Sequence, residues 1–186
     1  MPHCLVVGGT GMLREVSRQL AYNYDTVSVI GRNKHRMYAL SREMEHLNGN
    51  LDPLLLDYTD YDELVQQLET TIERYGPIGL VVSWIHSTAP DAGRLIAEKI
   101  NESGVDSIFY DVLGCEYEDP SSEKTLPDFA SLEYIKYRRV VTGFILEKGD
   151  SRWLTNEEIS SGVMDAIKND REYSIIGTTE PWEKRP

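Results

Sequence analysis

The sequence predicts an α/β fold, a three-layer doubly wound parallel sheet of about seven strands, in one domain over residues 1–186. Three observations carry this. Short apolar, β-branched runs alternate with longer stretches of helical period. A glycine cluster follows the first run, in "VVGGTGML" (6–13). No Pro/Gly/Ser-rich linker, internal repeat or low-complexity tract interrupts the alternation.

Taken in order, the expected strands are "CLVV" (4–7), "TVSVI" (26–30), "LDPLLL" (51–56), "IGLVVSW" (78–84), "SIFYDVL" (107–113), "RVVTGFIL" (139–146) and "YSII" (173–176). Between them, 12–22, 34–47, 60–75, 90–103 and 155–169 carry apolar residues three or four apart, as Leu64, Leu68, Ile72 and Tyr75 do. Helix starts are legible too. Asp60 or Thr59 before "YDEL" and Thr155 before "NEEI" place a capping oxygen and early carboxylates at the electropositive end. "TNEE" holds the Thr-x-x-Glu capping box. One interval breaks the pattern: 114–137 has two prolines and no sustained helical period, and reads as a long loop with at most a short helix near 128–135. Right-handed crossovers place the ligand crevice of such a sheet at the carboxyl ends of its strands. The ends of the first, second and fourth strands therefore matter most.

Composition narrows the partners. Nineteen Lys and Arg against thirty-one Asp and Glu give a formal charge of -12, which repels phosphate backbones and anionic lipid headgroups. Neither nucleic acid nor membrane is expected as a partner, and a small molecule is. Cys4 and Cys115 stand far apart with no CxxC spacing, so neither a disulfide framework nor a zinc site is expected. His3 and His46 stand alone, and His35 lies in a basic stretch. No leader-like segment opens the chain and no apolar run approaches membrane-spanning length, so a cytoplasmic location is expected.

The glycine turn has two readings, a phosphate-binding loop or a tight strand-to-helix connection. Gly8 can take the turn, and Gly9, Thr10, Gly11 and Met12 bring free N–H groups to a helix start, where a pyrophosphate binds. The second strand favours binding. It ends "VIGRN" about twenty residues past the glycines, where a dinucleotide site reads the adenosine ribose. An NAD site supplies an acidic side chain there, whereas this chain supplies Gly31, Arg32 and Asn33. A guanidinium matches a 2′-phosphate bidentately, so NADP(H) is expected over NAD(H), with Arg32 as its main contact and Lys34 and Arg36 in support. At the third strand's end, Asp57 is placed to accept from an adenine amino group, or to serve a turn, and Tyr58 to cover the ring.

With "GGTGM", "GRN", "LLLDYTD", "VVSWIHS" and "RWLTNEEI" in this order, the chain resembles the short-chain dehydrogenase/reductase superfamily, as an atypical, shortened member. The resemblance covers nearly the whole chain. It implies a Rossmann sheet in the order 3-2-1-4-5-6-7, a nicotinamide cofactor, and hydride transfer to or from a carbonyl or alcohol carbon. It matches Gly8, Thr10 and Gly11 to the cofactor loop, Arg32 to the NADP-selecting position and Asp57 to the adenine-side carboxylate. It matches Ser83, Trp84 and His86 to the segment beside the nicotinamide ribose. Two departures stand out. Arg14 replaces the third glycine, and must point outward or reach the phosphates. The family's Tyr-x-x-x-Lys pair is absent, its nearest approach being Tyr134 with Arg138 in "YIKYR".

Tyr134 is thus a candidate acid/base, or a loop tyrosine. His86 could donate a proton to a carbonyl oxygen or bind ribose, or be held at a strand end. Trp84 reads as core or as a stacking platform, Tyr110 and Cys115 as substrate-facing or structural. The tail with Trp182 could close over the crevice, pack on a neighbouring subunit, or lie loosely ordered. The expected function is an NADP(H)-dependent reductase of a small carbonyl compound; the rivals are a non-catalytic NADP(H)-binding redox sensor and an interaction protein whose glycines serve packing.

Overall fold

A computed structural model describes residues 2–119, 121, 122, 124 and 126–186. Seven strands form one parallel sheet: β1 (His3–Val7), β2 (Thr26–Ile30), β3 (Asn50–Leu54), β4 (Ile78–Ser83), β5 (Ser107–Gly114), β6 (Ile135–Thr142) and β9 (Tyr173–Ile176). Their order is β3-β2-β1-β4-β5-β6-β9, the doubly wound order expected. Between β6 and β9 the chain adds an antiparallel hairpin of β7 (Phe144–Glu147) and β8 (Asp150–Trp153).

The helices are α1 (Arg14–Leu20), α2 (Lys34–Met44), α3 (Tyr61–Tyr75), α4 (Ala92–Asn101) and α5 (Asn156–Lys168). Their caps follow the sequence. Asp60 accepts from the Glu63 amide at 3.1 Å, and Thr155 with Glu158 closes the capping box. Among the described residues no helix is long and apolar enough to cross a membrane.

Every residue of β1 and β2 is buried, because helices cover both faces. Alternation sorts their side chains. Cys4, Val6, Val27 and Val29 meet Leu13, Val16, Leu40 and Val163 on the α1, α2 and α5 side, while Leu5, Val7 and Ile30 meet Leu64, Leu68 and Ile96 on the α3 and α4 side. On this second side, among the described residues, no α-helix joins β5 to β6. A 3-10 turn at Cys115–Tyr117 and irregular chain with turns lie there instead, and Phe129 packs on this side, 5.1 Å from Phe109 and 4.8 Å from Tyr137 between ring centroids.

Two boundaries differ from the sequence reading. The run expected as one strand over 139–146 is two elements, since the chain leaves the sheet at Gly143, whose bare Cα lies against the Thr178 carbonyl. β6 accordingly begins at Ile135, inside the interval read as loop or short helix.

At the amino edge of the sheet, four elements bury a polar network. The His3 ring contacts the Gly76 carbonyl and the Ser28 hydroxyl, both at 2.8 Å, and Asp52 takes hydrogen bonds from Ser28, at 2.9 Å, and from Thr71. Ser28 is fully buried at its centre. Ser28→Ala leaves one His3 ring nitrogen without its partner and removes one of the two hydrogen bonds that Asp52 accepts, and an unsatisfied buried group costs about 1–3 kcal/mol. Urea unfolding of Ser28→Ala is expected to show a loss at the upper end of that range; an unchanged midpoint would mean the network contributes nothing.

Candidate functional site

The carboxyl ends of β1, β2 and β4 enclose a cavity of about 500 Å³. Gly8, Thr10, Gly11 and Met12 form one wall, Gly31, Arg32, Asn33 and Arg36 a second, and Tyr58, Trp84 and His86 the remainder. Gly8 sits at φ +78°, a left-handed conformation, and a Cβ there would stand 3.1 Å from the Trp84 carbonyl. Its amide donates to Ile30 at 3.0 Å, and the turn continues through bonds from Gly11 to Gly8 and Arg14 to Gly11. The helix starts at Arg14, two residues later than expected, and the amides of Thr10 and Met12 meet no protein acceptor among the described residues.

The three glycines of the turn do different things. Gly11 faces open space, its nearest neighbour being the Arg36 guanidinium at 3.7 Å from a would-be Cβ. Gly9 does not line the cavity. It is enclosed by Ser17, Val6 and Val29, and its carbonyl accepts from the Ser17 hydroxyl at 3.1 Å. Gly9 therefore lets α1 pack onto β1.

Arg32 is 69% exposed at the rim, with Nη1 3.1 Å from Asp57 Oδ2. Arg36 stands beside it, and Asn33 caps α2 by accepting from the Arg36 amide at 3.0 Å. Asp57 lies outside the cavity lining. Its carboxylate is held below the usual range, chiefly by the amide and hydroxyl of Thr59 and then by Arg32. Tyr58 does line the cavity, and its hydroxyl accepts from the His86 amide at 3.3 Å. Arg14 points outward, paired with Glu43.

His86 stands edge-on to Trp84, with centroids 5.9 Å apart, and borders this cavity and the next one. Tyr134 is a correction. It immediately precedes β6 in a parallel sheet, so it lies at the amino edge, where its amide donates to Asn101. Eight residues at about 3.3 Å each separate it from the crevice, too far for an acid/base there. Tyr110 is also structural, its hydroxyl bonded to the Ala166 carbonyl beneath α5. Cys115 is buried, which pushes its thiol up, and it borders a cavity of about 320 Å³ together with Trp84, Trp153 and Arg185. The tail thus returns to the carboxyl edge of the sheet, with the Arg185 guanidinium 4.7 Å over Trp182. No cluster of metal-ligating side chains occurs among the described residues.

A further cavity of about 350 Å³ lies on the side where the crossover helix is absent, bordered by His86, Asp111, Tyr117 and Lys124. Asp111 is buried and accepts from the Tyr137 hydroxyl at 3.0 Å; burial pushes its carboxyl up to about 7, against the lowering effect of that hydrogen bond. Sequence reading missed Asp111. Its one signal was a carboxylate inside the apolar run "SIFYDVL".

No family model matches the chain. Over 81 residues it is 30% identical to a 3-oxoacyl-(acyl-carrier-protein) reductase of Thermotoga maritima, a stretch that spans 43% of this chain and 33% of that reductase. Among solved structures, a putative oxidoreductase from Escherichia coli K-12 superposes with a TM-score of 0.74 at 16% identity, covering 100% of this chain and 99% of its own. The bulky-bulky ketone specific alcohol dehydrogenase of Comamonas testosteroni gives 0.72 at 14%, covering 98% and 89%. A short-chain dehydrogenase of Sphingobium yanoikuyae, solved with NADPH, gives 0.69 at 13%, covering 98% and 91%.

Proposed function

We propose that this chain, which has the fold of the short-chain dehydrogenases and reductases, binds NADP(H) in the cavity at the glycine turn and uses it to reduce a small carbonyl compound. The observation that carries the reading is Arg32 with Arg36. In a chain of formal charge -12, two guanidiniums line the cavity that the glycine turn also lines. Phosphate is the group that fits both walls: unpaired amides on one side and a bidentate cation on the other.

The residues present suit the cofactor. Gly11 and the amides of Thr10 and Met12 would receive its pyrophosphate, Arg32 the 2′-phosphate, and Tyr58 the adenine side. When bound, the reduced nicotinamide supplies a hydride donor. His86 and Trp84 bound the cavity toward β4 and β5, where a substrate would enter.

The test is thermal unfolding with excess NADPH, NADH or neither, on the wild-type chain and Arg32→Ala. Ligand at about a hundred times its dissociation constant adds roughly 2.7 kcal/mol and raises the midpoint by several degrees. Arg32→Ala is expected to weaken NADPH by about tenfold to a hundredfold, the worth of a charge-assisted pair, and to leave NADH alone. No shift with either nucleotide would sink the reading. A second reading, a non-catalytic redox sensor, is favoured by the connection between β5 and β6, which among the described residues has no α-helix where the family carries its Tyr-x-x-x-Lys. Binding of NADPH without oxidation of it across a panel of aldehydes and ketones would select the sensor.

A further inference from the structure

At the carboxyl end of β4 and β5, one patch of the sheet breaks the rule that its buried face is apolar. Ser83 and Asp111 are register partners on adjacent parallel strands, so their side chains point to the same face, the one covered below by Val81, Phe109 and Ile135. Ser83 is 1% exposed, and its hydroxyl has no hydrogen-bond partner among the described residues. Asp111 is buried beside it, with one oxygen taken by Tyr137. Its other oxygen has no partner among the described residues and is not sealed in, because the side chain borders the 350 Å³ cavity. A buried hydroxyl without a partner beside a carboxyl that opens on a cavity is an arrangement that calls for an explanation, and a bound polar group supplies one.

The cavity adjoins the one assigned to the cofactor, with His86 bordering both. Its walls are mixed. Ile85, Leu113 and Leu126 are apolar, while Asp91 adds a second carboxylate and Lys124 is already paired with Glu116 at 2.7 Å. Such a lining disfavours an anionic substrate. Arg139, opposite Asp111 in register, stacks 4.9 Å over Tyr173 and forms no ion pair with Asp111 among the described residues.

We propose that this cavity is the substrate pocket for an uncharged small aldehyde or ketone, with Asp111 as its polar floor, Ser83 buried beside it, and Asp111 as the proton donor that replaces the missing tyrosine. The inference rests on the NADP(H) reading above. As the carbonyl carbon accepts a hydride from the reduced nicotinamide, its π pair moves to oxygen and takes the proton from Asp111. A C–H and an O–H bond form, the Asp111 O–H breaks, the carbonyl becomes an alcohol, and the nicotinamide is oxidised. Asp111 is left as a carboxylate, to be reprotonated from solvent. Its carboxyl, pushed up to about 7 by burial, holds that proton through the neutral range.

The groups facing it are Tyr137 and Arg139 of β6, Ser83 of β4, and Tyr117, Lys124 and His86 around the cavity.

The experiment uses the full chain loaded with NADPH and three probes, benzaldehyde, cyclohexanone and acetone, in wild type, Asp111→Asn and Tyr137→Phe, with a carbon-13 NMR titration of the aspartate carboxyls. One carboxyl is expected to titrate near neutrality and to vanish in Asp111→Asn. Turnover should fall a hundredfold or more in that variant with NADPH affinity unchanged. Tyr137→Phe, which withdraws a hydrogen bond from the carboxylate, should move the titration and the pH profile of turnover upward together. The proposal is overturned if Asp111 titrates in the ordinary carboxylate range, if Asp111→Asn turns over the probes like wild type, or if the NADPH-bound wild type reduces none of them. Failure of wild type to bind NADPH would instead sink the cofactor reading, and this one with it.

Discussion

Asp111→Asn is expected to unfold at higher urea than the wild-type chain at pH 8, and at nearly the same urea at pH 4. The folded chain holds the Asp111 proton up to about 7, while the unfolded chain releases it near the ordinary value of 3.8. Between those limits the folded state binds more protons, so its stability falls as pH rises. The contribution is fully present below about pH 4 and is lost through pH 7. The gap between the two values corresponds to about 4 kcal/mol, an upper figure for a buried group with a hydrogen-bond partner. Asparagine keeps an acceptor for Tyr137 and has no proton to lose, so the difference between the two urea midpoints isolates this one group. Parallel pH dependences in the two proteins would show that Asp111 ionises like a surface carboxylate. A substitution that stabilises the chain while removing its turnover would mark a position where stability is given up for chemistry.

The second large effect separates the glycines of the turn. Gly9→Ala places a methyl against the Ser17 hydroxyl and 2.9 Å from methyl carbons of Val6 and Val29. Those neighbours belong to β1 and β2, which are covered on both faces, and to the buried side of α1, so they cannot yield cheaply. Overpacking and the displaced Ser17 hydrogen bond together are expected to cost about 3 kcal/mol in urea unfolding. Gly11→Ala should leave stability within about 1 kcal/mol, because only the end of a flexible arginine lies near. It should instead weaken NADPH by about tenfold or more, since the methyl enters the cavity. Should Gly11→Ala bind NADPH like wild type, the turn would be a packing device throughout.

Much of the fold was legible because its signals are local. Apolar runs, helical spacing and the capping residues Asp60 and Thr155 each lie within a few residues of the element they define. β6 was misplaced because Lys136, Arg138 and Arg139 mask its first half, and because the break at Gly143 depends on Thr178, far along the chain. That shift mattered for chemistry: with β6 starting at Ile135, Tyr134 is pinned to the wrong edge of the sheet. The glycine turn, Arg32 and Tyr58 were legible as one cavity because each ends or follows a strand. Asp111 was not. What makes it unusual is Tyr137 on one neighbouring strand and Ser83 on the other, and no sequence window contains all three.

The pairing of Arg32 with Asp57 bears on how this site would tell two nucleotides apart. A guanidinium already engaged must be exchanged, not merely met. The pair is exposed on both sides, so breaking it costs under about 1 kcal/mol. Asp57 is not stranded by the exchange either, because the amide and hydroxyl of Thr59 go on holding its carboxylate. A doubly charged phosphate displaces one carboxylate from that fork, and a neutral ribose hydroxyl does not. Asp57 would then act as a reference ligand that only the phosphate has to outcompete, lowering affinity slightly for the phosphorylated nucleotide and narrowing its lead by under about 1 kcal/mol.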